Sequence, residues 1–365
     1  MRNVLANVRN LAGPRHRHEW QVIIEHLRNA GYQVSEQSAV FSPHQIKPEY
    51  GGRPQVRERV LITATLVPEG MQADPFIDPV SLPENIRMDR EWDLINDLQI
   101  DPEETPAGTD ISQVERNWID HWEVMVQHMR EWRATQADAS GETARRLPGF
   151  PIWTDTWGSD WSPMERGQAI DEAPPWKADF LRKNFALYDA LAEHVGGRAM
   201  GTWLRKVRTF PESRRKLEWQ AQDAESLWDC VISLRPSGLR AKRPTHLPAL
   251  VAITQTPIIG PLQRKLSARE AARLQGLPDS FSFDGQSDKA TFKQLGNGVS
   301  VGVVWNVLKA HCERDRDLLL ATPTGREIYA LVSQAPDDPT SAIATALDTV
   351  RRVDSVRAAT VPLKV

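Results

Sequence analysis

Residues 3–66 alternate between strand-like and helix-like hydrophobic spacing, and that alternation limits the folds open to the chain more than any other feature. Asn3-Val4-Leu5-Ala6-Asn7-Val8 is a short apolar run of the kind that forms a buried strand. From His16 the period lengthens. Trp20, Ile23, Ile24, Leu27 and Ala30 recur at helical spacing, and Gly31 is placed to close the helix. Tyr32 to Phe41 predicts a strand, and Val60 to Leu66, rich in β-branched residues, predicts another. Strand, helix, strand, strand is part of an α/β sheet. No strand precedes Asn3, so the pattern predicts a domain without its first half.

Further on, residues 68–110 are acidic, rich in Pro and Asp, and predict a loop. Ile111 to Trp132 predicts a helix whose stripe of Trp118, Trp122, Met125, Val126 and Met129 belongs to a core rather than to a cofactor box. Residues 138–175 read as irregular. Trp176 to Val195 predicts a helix closed by Gly196-Gly197, and Leu250 to Ile259 a strand. Ser267 followed by Glu270 has the form of a capping box, opening a helix that runs to Leu274 and stops at Gly276 and Pro278. Gly296-Asn297-Gly298 is expected to open a last apolar helix with Val299, Val303, Val304, Val307 and Leu308 buried. From Arg314 the chain is charged, with one amphipathic stretch at 341–352.

The net charge of −3 conceals a strong asymmetry. Residues 68–125 hold 15 Asp/Glu and 3 Lys/Arg, whereas 198–273 hold 15 Lys/Arg and 6 Asp/Glu. A basic block in a near-neutral chain is what a polyanion partner requires, although a solvated face opposing the acidic segment meets the same balance. Two cysteines, Cys230 and Cys312, have neither metal-ligand spacing nor a disulfide framework, so no metal is expected. No apolar run is long enough to span a membrane, and the N-terminus is polar, which predicts a cytoplasmic protein. Most of the 13 tryptophans lie between 92 and 228, so that segment is expected to pack a core of its own.

Two strings carry the chemistry. Arg264-Lys265-Leu266-Ser267-Ala268-Arg269-Glu270-Ala271-Ala272-Arg273-Leu274-Gln275-Gly276-Leu277-Pro278-Asp279 is followed about thirteen residues later by Phe292-Lys293-Gln294-Leu295-Gly296-Asn297-Gly298-Val299. The first alone also fits helix-turn-helix modules. In this order and at this distance, the pair resembles motifs IX and X of the cytosine-5 DNA methyltransferases. Ala6-Asn7-Val8, Gly31-Tyr32-Gln33-Val34, and Gln55-Val56-Arg57-Glu58-Arg59 before a strand resemble motifs VI, VII and VIII. The resemblance is sharp over 3–66 and 250–311, and only positional between them, where the family places its variable recognition region.

The resemblance implies an α/β protein: a partial Rossmann-like methyltransferase domain with an inserted target-recognition region. Its parts would be 1–67 (motifs VI to VIII), an acidic, Trp-rich insert at 68–210, a basic recognition region at 211–262, a return to the catalytic domain at 263–314, and a tail at 315–365. The family adds a cysteine thiolate to carbon-6 of a flipped cytosine and methylates carbon-5 from S-adenosylmethionine. By resemblance Arg59 would stabilise charge developing on the base, with Asn7, Gln55 and Arg57 supporting the site. Asn297 and Val299 would touch the methyl donor, Asn297 as a helix N-terminus suited to a carboxylate. Arg214, Arg215, Lys216, Arg240, Lys242, Arg243 and Arg269 would contact duplex DNA.

Several family features have no counterpart. The Phe-x-Gly-x-Gly donor loop is absent, which leaves the S-adenosylmethionine site incomplete. The Pro-Cys nucleophile is absent: Cys230 follows Asp229 and Cys312 follows His311, and both read as inert structural thiols. Ala6 stands where the family has glutamate, and alanine holds no proton. The expectation is a C-terminal portion inactive alone. Three arrangements fit it: one subunit of a split enzyme whose motifs I to IV lie on a separate chain, a truncated product, or an inactive relative that only binds DNA. A cognate restriction endonuclease belongs to the first two.

Overall fold

The computed structural model describes residues 2–137, 140–144, 146–158, 161–250 and 256–346, with the backbone alone at 2–4. The chain forms two units. Residues 1–100, 246–254 and 268–365 make unit 1, and residues 101–245 and 255–267 make unit 2.

Unit 1 is built on one strand. Its first elements are β1 (Arg2–Val8), α1 (Arg17–Asn29), β2 (Tyr32–Val34), β3 (Ala39–Phe41), β4 (Gln55–Val56), β5 (Arg59–Leu66) and a short α2 (Leu94–Asp97). β1 lies antiparallel along one side of β5, from Arg2 opposite Thr65 to Val8 opposite Arg59. β2 and β3 share the other side, also antiparallel. The single strand expected over 32–41 is therefore two. Between them the Ser35 hydroxyl accepts the Gln37 amide, and the Trp20 indole donates to the Glu36 carbonyl, local bonds that compete with a continuous ladder.

β5 is covered on both faces, which is why its sequence is a continuous apolar run rather than an alternating one. Val60, Ile62 and Ala64 pack with Trp20 and Ile24 of α1. Leu61 joins Phe41, Ile46, Val80, Leu82, Val303 and Val307 on the opposite side. Gly31, at φ +82°, sits just past the end of α1, as its position predicts. Among the described residues β1 pairs only with β5, and Leu5 and Val8 are 48% and 50% exposed.

Unit 2 opens with α3 (Gln113–Ala134), where the Ser112 hydroxyl caps the Glu115 amide and the Glu115 carboxylate returns to Ser112. There follow β6 (Ile152–Trp153), α4 (Pro163–Asp171), α5 (Pro175–Val195), α6 (Gly197–Val207), β7 (Lys216–Gln220), β8 (Val231–Arg235) and β9 (Gly238–Lys242). The stretch expected to be irregular thus holds β6 and α4; residues 138, 139, 145, 159 and 160 lie outside the described set. Gly196 ends α5, but α6 begins at once. Its Met200, Trp203, Leu204 and Val207 join Trp122, Met125 and Met129 of α3 in a core beneath the sheet, so the tryptophan-rich stripe is core.

The chain then gives β10 (Leu247–Pro248) to unit 1, parallel to β4, and returns to unit 2 for β11 (Ile258–Ile259) and β12 (Arg264–Lys265). The unit 2 sheet has the order β12-β11-β8-β9-β7-β6. Of the strand expected over Leu250 to Ile259, residues 251–255 lie outside the described set and only Ile258–Ile259 is extended in a ladder.

Unit 1 closes with α7 (Ala268–Gln275), α8 (Asp288–Asn297), α9 (Val301–Arg314), α10 (Arg316–Leu320) and α11 (Pro323–Gln334). Gly296-Asn297-Gly298 does not open the last apolar helix. It closes α8, which the Ser287 hydroxyl caps at the Ala290 amide, and α9 begins only at Val301. Residues 339–346 are helical; the rest of the amphipathic 341–352 stretch lies outside the described set. A buried polar cluster ties α9 to the sheet. Thr65 of β5 donates to Asp315 at 2.5 Å, Gln33 of β2 donates to it at 3.3 Å, and His311 and Arg314 lie against it at 3.1 and 2.7 Å.

Candidate active site

Unit 1 brings motif-like segments distant in sequence into one recess. Ala6 of β1, Arg59 and Leu61 of β5, and Val299, Ser300, Val303 and Val304 around the start of α9 line it together with Arg57. The recess is shallow, with about 10 Å³ of free space, no more than one water molecule needs. No cysteine or carboxylate is among its lining residues.

The two arginines of this segment do different work. Arg57 is 2% exposed. It donates to the carbonyls of Leu250 at 2.7 Å, Gly296 at 2.8 Å and Gly298 at 2.5 Å. Gly296 and Gly298 stand at the carbonyl end of α8, where a cation is favoured by the helix dipole. Burial, and then the nearby Arg59, lower the Arg57 guanidinium to about 10, so it keeps its charge at neutral pH. A side chain spent on three carbonyls supports the site and is not free to touch a substrate. Arg59 is partly buried, donates among the described residues only to the Glu58 carbonyl at 2.8 Å, and is lowered by burial. Glu58 itself is held by Arg9 at 2.7 Å.

Gln55 is fully buried in β4, and among the described residues neither polar atom of its amide has a hydrogen-bond partner. Asn7 is exposed, and its side-chain oxygen accepts the Val8 amide at 2.8 Å. Gln275, which sequence reasoning passed over, is 2% exposed and donates to the Leu295 carbonyl at 2.9 Å. It grips the same turn that Arg57 holds. Its place one residue before Gly276 at the end of the motif IX helix was the available signal.

The residues present do not by themselves fit S-adenosylmethionine. Asn297 is exposed at the carbonyl end of α8 rather than at a helix N-terminus, so the dipole there opposes a carboxylate. Val299 is 44% exposed, and the recess beside it holds no ligand-sized space.

The thiols are placed for packing. Cys230 is buried in the unit 2 core, and burial with Asp229 and Glu123 nearby pushes it up to about 12. Cys312 is 2% exposed among Leu319 and Val332. Neither exposes a thiolate. Among the described residues no group of His, Cys, Asp and Glu is arranged to hold a metal, and no helix is long and apolar enough to cross a membrane.

The cations expected to meet DNA fall into three groups. Arg214 lies over the Trp118 ring at 5.2 Å and donates to the carbonyls of Arg235 and Leu234. Arg215 donates to the Phe210 carbonyl and faces Asp155 at 3.4 Å. Both bind the fold together. Lys216, Arg240 and Lys242 lie on the outward side of β7 and β9, alternating with buried Leu217, Leu239 and Ala241. Arg240 is paired with Glu218, its cross-strand neighbour. Lys242 is lowered first by burial, then by Arg240 and Arg235, the mark of cations crowded on one sheet face. Arg243 follows them, partly buried. Arg269, in unit 1, donates to the Phe281 carbonyl at 2.9 Å and lies over the Phe283 ring.

The chain is 42% identical over 413 aligned residues to the Type II methyltransferase M.AluI of Cellulosimicrobium cellulans, covering 94% of this chain and 77% of that protein. A shorter stretch of 45 residues, 12% of this chain and 10% of the other, is 51% identical to the Type II methyltransferase M.HgiCI of Herpetosiphon aurantiacus. The solved methyltransferase EhMeth of Entamoeba histolytica overlaps 86% of this chain and 62% of its own, with a TM-score of 0.32 and 12% identity. The family model described as C-5 cytosine-specific DNA methylase matches residues 4–313. The chain belongs to the C-5 cytosine-specific DNA methylase family.

Proposed function

We propose that this chain is the C-terminal portion of a cytosine-5 DNA methyltransferase that acts on cytosine in duplex DNA, with S-adenosylmethionine as methyl donor, and that it is inactive alone. One observation carries the reading: the recess where motif-like segments VI, VIII and X meet presents Arg59 but no thiol and no carboxyl group. Arg59 faces the flipped base and stabilises negative charge developing on it. Arg57 and Gln275 fix the turn that forms the recess wall, and Gln55 and Asn7 stand beside it as supporting residues. Asn297 and Val299 border the donor only when another segment completes the pocket.

That segment carries motifs I to IV, with the nucleophile and the donor loop. The uncovered edge of β1 is where it adds to the sheet, because an exposed strand edge offers unpaired amides and carbonyls to an incoming strand. Unit 2 serves as the inserted recognition region. The outward cations of its sheet, Lys216, Arg240, Lys242 and Arg243, contact phosphates, and Arg269 contacts DNA from unit 1. Arg214 and Arg215 shape that surface from within. Relatives named Type II methyltransferases make a cognate restriction endonuclease the natural companion.

Ala6 favours a second reading, a relative that binds DNA without methylating it, since alanine cannot hold the proton that the family's glutamate holds. A methyl-transfer assay with labelled S-adenosylmethionine and mixed-sequence duplex DNA separates the two. The chain is tested alone and with a supplied motif I–IV segment, as the natural sequence and as Ala6→Glu. Label transferred only in the combined sample, increased by Ala6→Glu, is the expected result. Transfer by the chain alone would overturn the reading, and no transfer in any combination with DNA binding intact would establish the binding-only relative.

A further inference from the structure

We infer that the outer face of α6 is a second phosphate-contacting surface, one on which Arg198, Arg205 and Lys206 grip the sugar-phosphate backbone of duplex DNA. The inference rests on the reading that this chain binds DNA and adds a surface outside the expected cation set. Along α6, Met200, Trp203, Leu204 and Val207 are buried at helical spacing. The opposite side carries Arg198, Thr202, Arg205, Lys206 and Thr209, all exposed.

Among the described residues none of Arg198, Arg205 and Lys206 makes an ion pair, whereas Arg215 faces Asp155 and Arg240 is held by Glu218. Arg205 reaches only the Thr202 hydroxyl of its own helix, at 2.9 Å. Arg198 sits in the first turn, where the helix dipole disfavours a cation, and no acidic residue in that turn offsets it. Arg205 and Lys206, in the last turn, are favoured by the dipole, whereas an anion at Arg198 would offset the cost of its position.

The face is also low. A side-chain carbon at Gly197 would meet nothing within 4 Å, and one at Gly201 would meet only the Arg205 guanidinium at 3.6 Å. Three exposed cations on one helix face, flanked by open glycines, make a surface that a repeating row of phosphates can approach, and basic side chains are the groups that bind such a row.

The test is equilibrium binding of the whole chain to a mixed-sequence duplex, followed by fluorescence anisotropy across about 50 to 200 mM salt, the range over which phosphate contacts dominate the affinity. Arg198→Gln, Arg205→Gln and Lys206→Gln are combined, and circular dichroism and thermal melting establish that the variant is folded. The expected result is binding weakened about tenfold or more, with the slope of log affinity against log salt reduced by roughly 2 to 3, since each phosphate contact contributes about 0.9. A folded variant with the affinity and slope of the natural chain overturns the inference while leaving DNA binding standing. A natural chain that does not bind duplex at all overturns both. If the triple variant does not fold, the three single substitutions are measured instead, and a slope unchanged in all three has the same force.

Discussion

Asp315 is a carboxylate almost entirely removed from water, and it stays charged because of what surrounds it. Burial alone would raise its pKa, but hydrogen bonds from His311, Arg314 and Thr65 hold it well below the usual carboxylate range. A carboxylate depressed in the fold stabilises it at pH values above the unfolded pKa near 4. That contribution is lost progressively as pH falls from there towards the folded pKa. Urea unfolding should therefore show the natural chain losing stability between about pH 5 and pH 3, and Asp315→Asn should be less stable at pH 7 but flatter across that interval; equal slopes for the two proteins would refute the assignment. At this scale the sequence is an uneven guide. Arg59 and its neighbour Arg57 are marked by the resemblance to motif VIII, but it does not separate them, because only burial shows that Arg57 faces carbonyls. Nothing in the string Gln55-Val56-Arg57 says which side chain is turned inward.

Helix α9 meets the turn at Gly51, between β3 and β4, through glycine rather than through a side chain. A side-chain carbon at Gly302 would stand 2.0 Å from the Gly51 carbonyl oxygen, and Asn306 donates to the Tyr50 carbonyl at 2.7 Å one turn later. Both sides of the contact are backbone, so neither can yield by changing rotamer. Gly302→Ala should cost about 1–3 kcal/mol, the range of overpacking with backbone displacement, read as a lowered urea midpoint; a loss below about 0.5 kcal/mol would mean that α9 shifts freely. The elements themselves were readable where periodicity was long. α1 and α3 follow from their apolar spacing within a few residues. Gly296-Asn297-Gly298 misleads because glycine and asparagine serve at both ends of helices. Ser287 before Asp288, with Thr291 and Leu295 buried one turn apart, is the signal that makes the preceding segment helical and turns the glycines into its end.

For the whole molecule, the open side of β1 has an outcome that can be weighed. An unpaired edge with Leu5 and Val8 exposed favours association between copies when no other strand covers it. Sedimentation velocity should show self-association that rises with concentration, and Leu5→Lys should suppress it; identical profiles for both would show the edge to be inert. The sequence marks the strands of unit 1 and the separate tryptophan-rich core, yet it gives no sign that residues 255–267 rejoin unit 2, because two-residue ladders such as Ile258–Ile259 leave no period to detect. That return has a consequence for engineering. Unit 2 is not a cassette with one entrance and one exit. A graft of 101–245 alone would leave the host's Ile258 and Ile259 facing a foreign strand in place of Ile232 and Val231. Moving unit 2 between relatives therefore calls for two inserts, with the short second piece matched to the first.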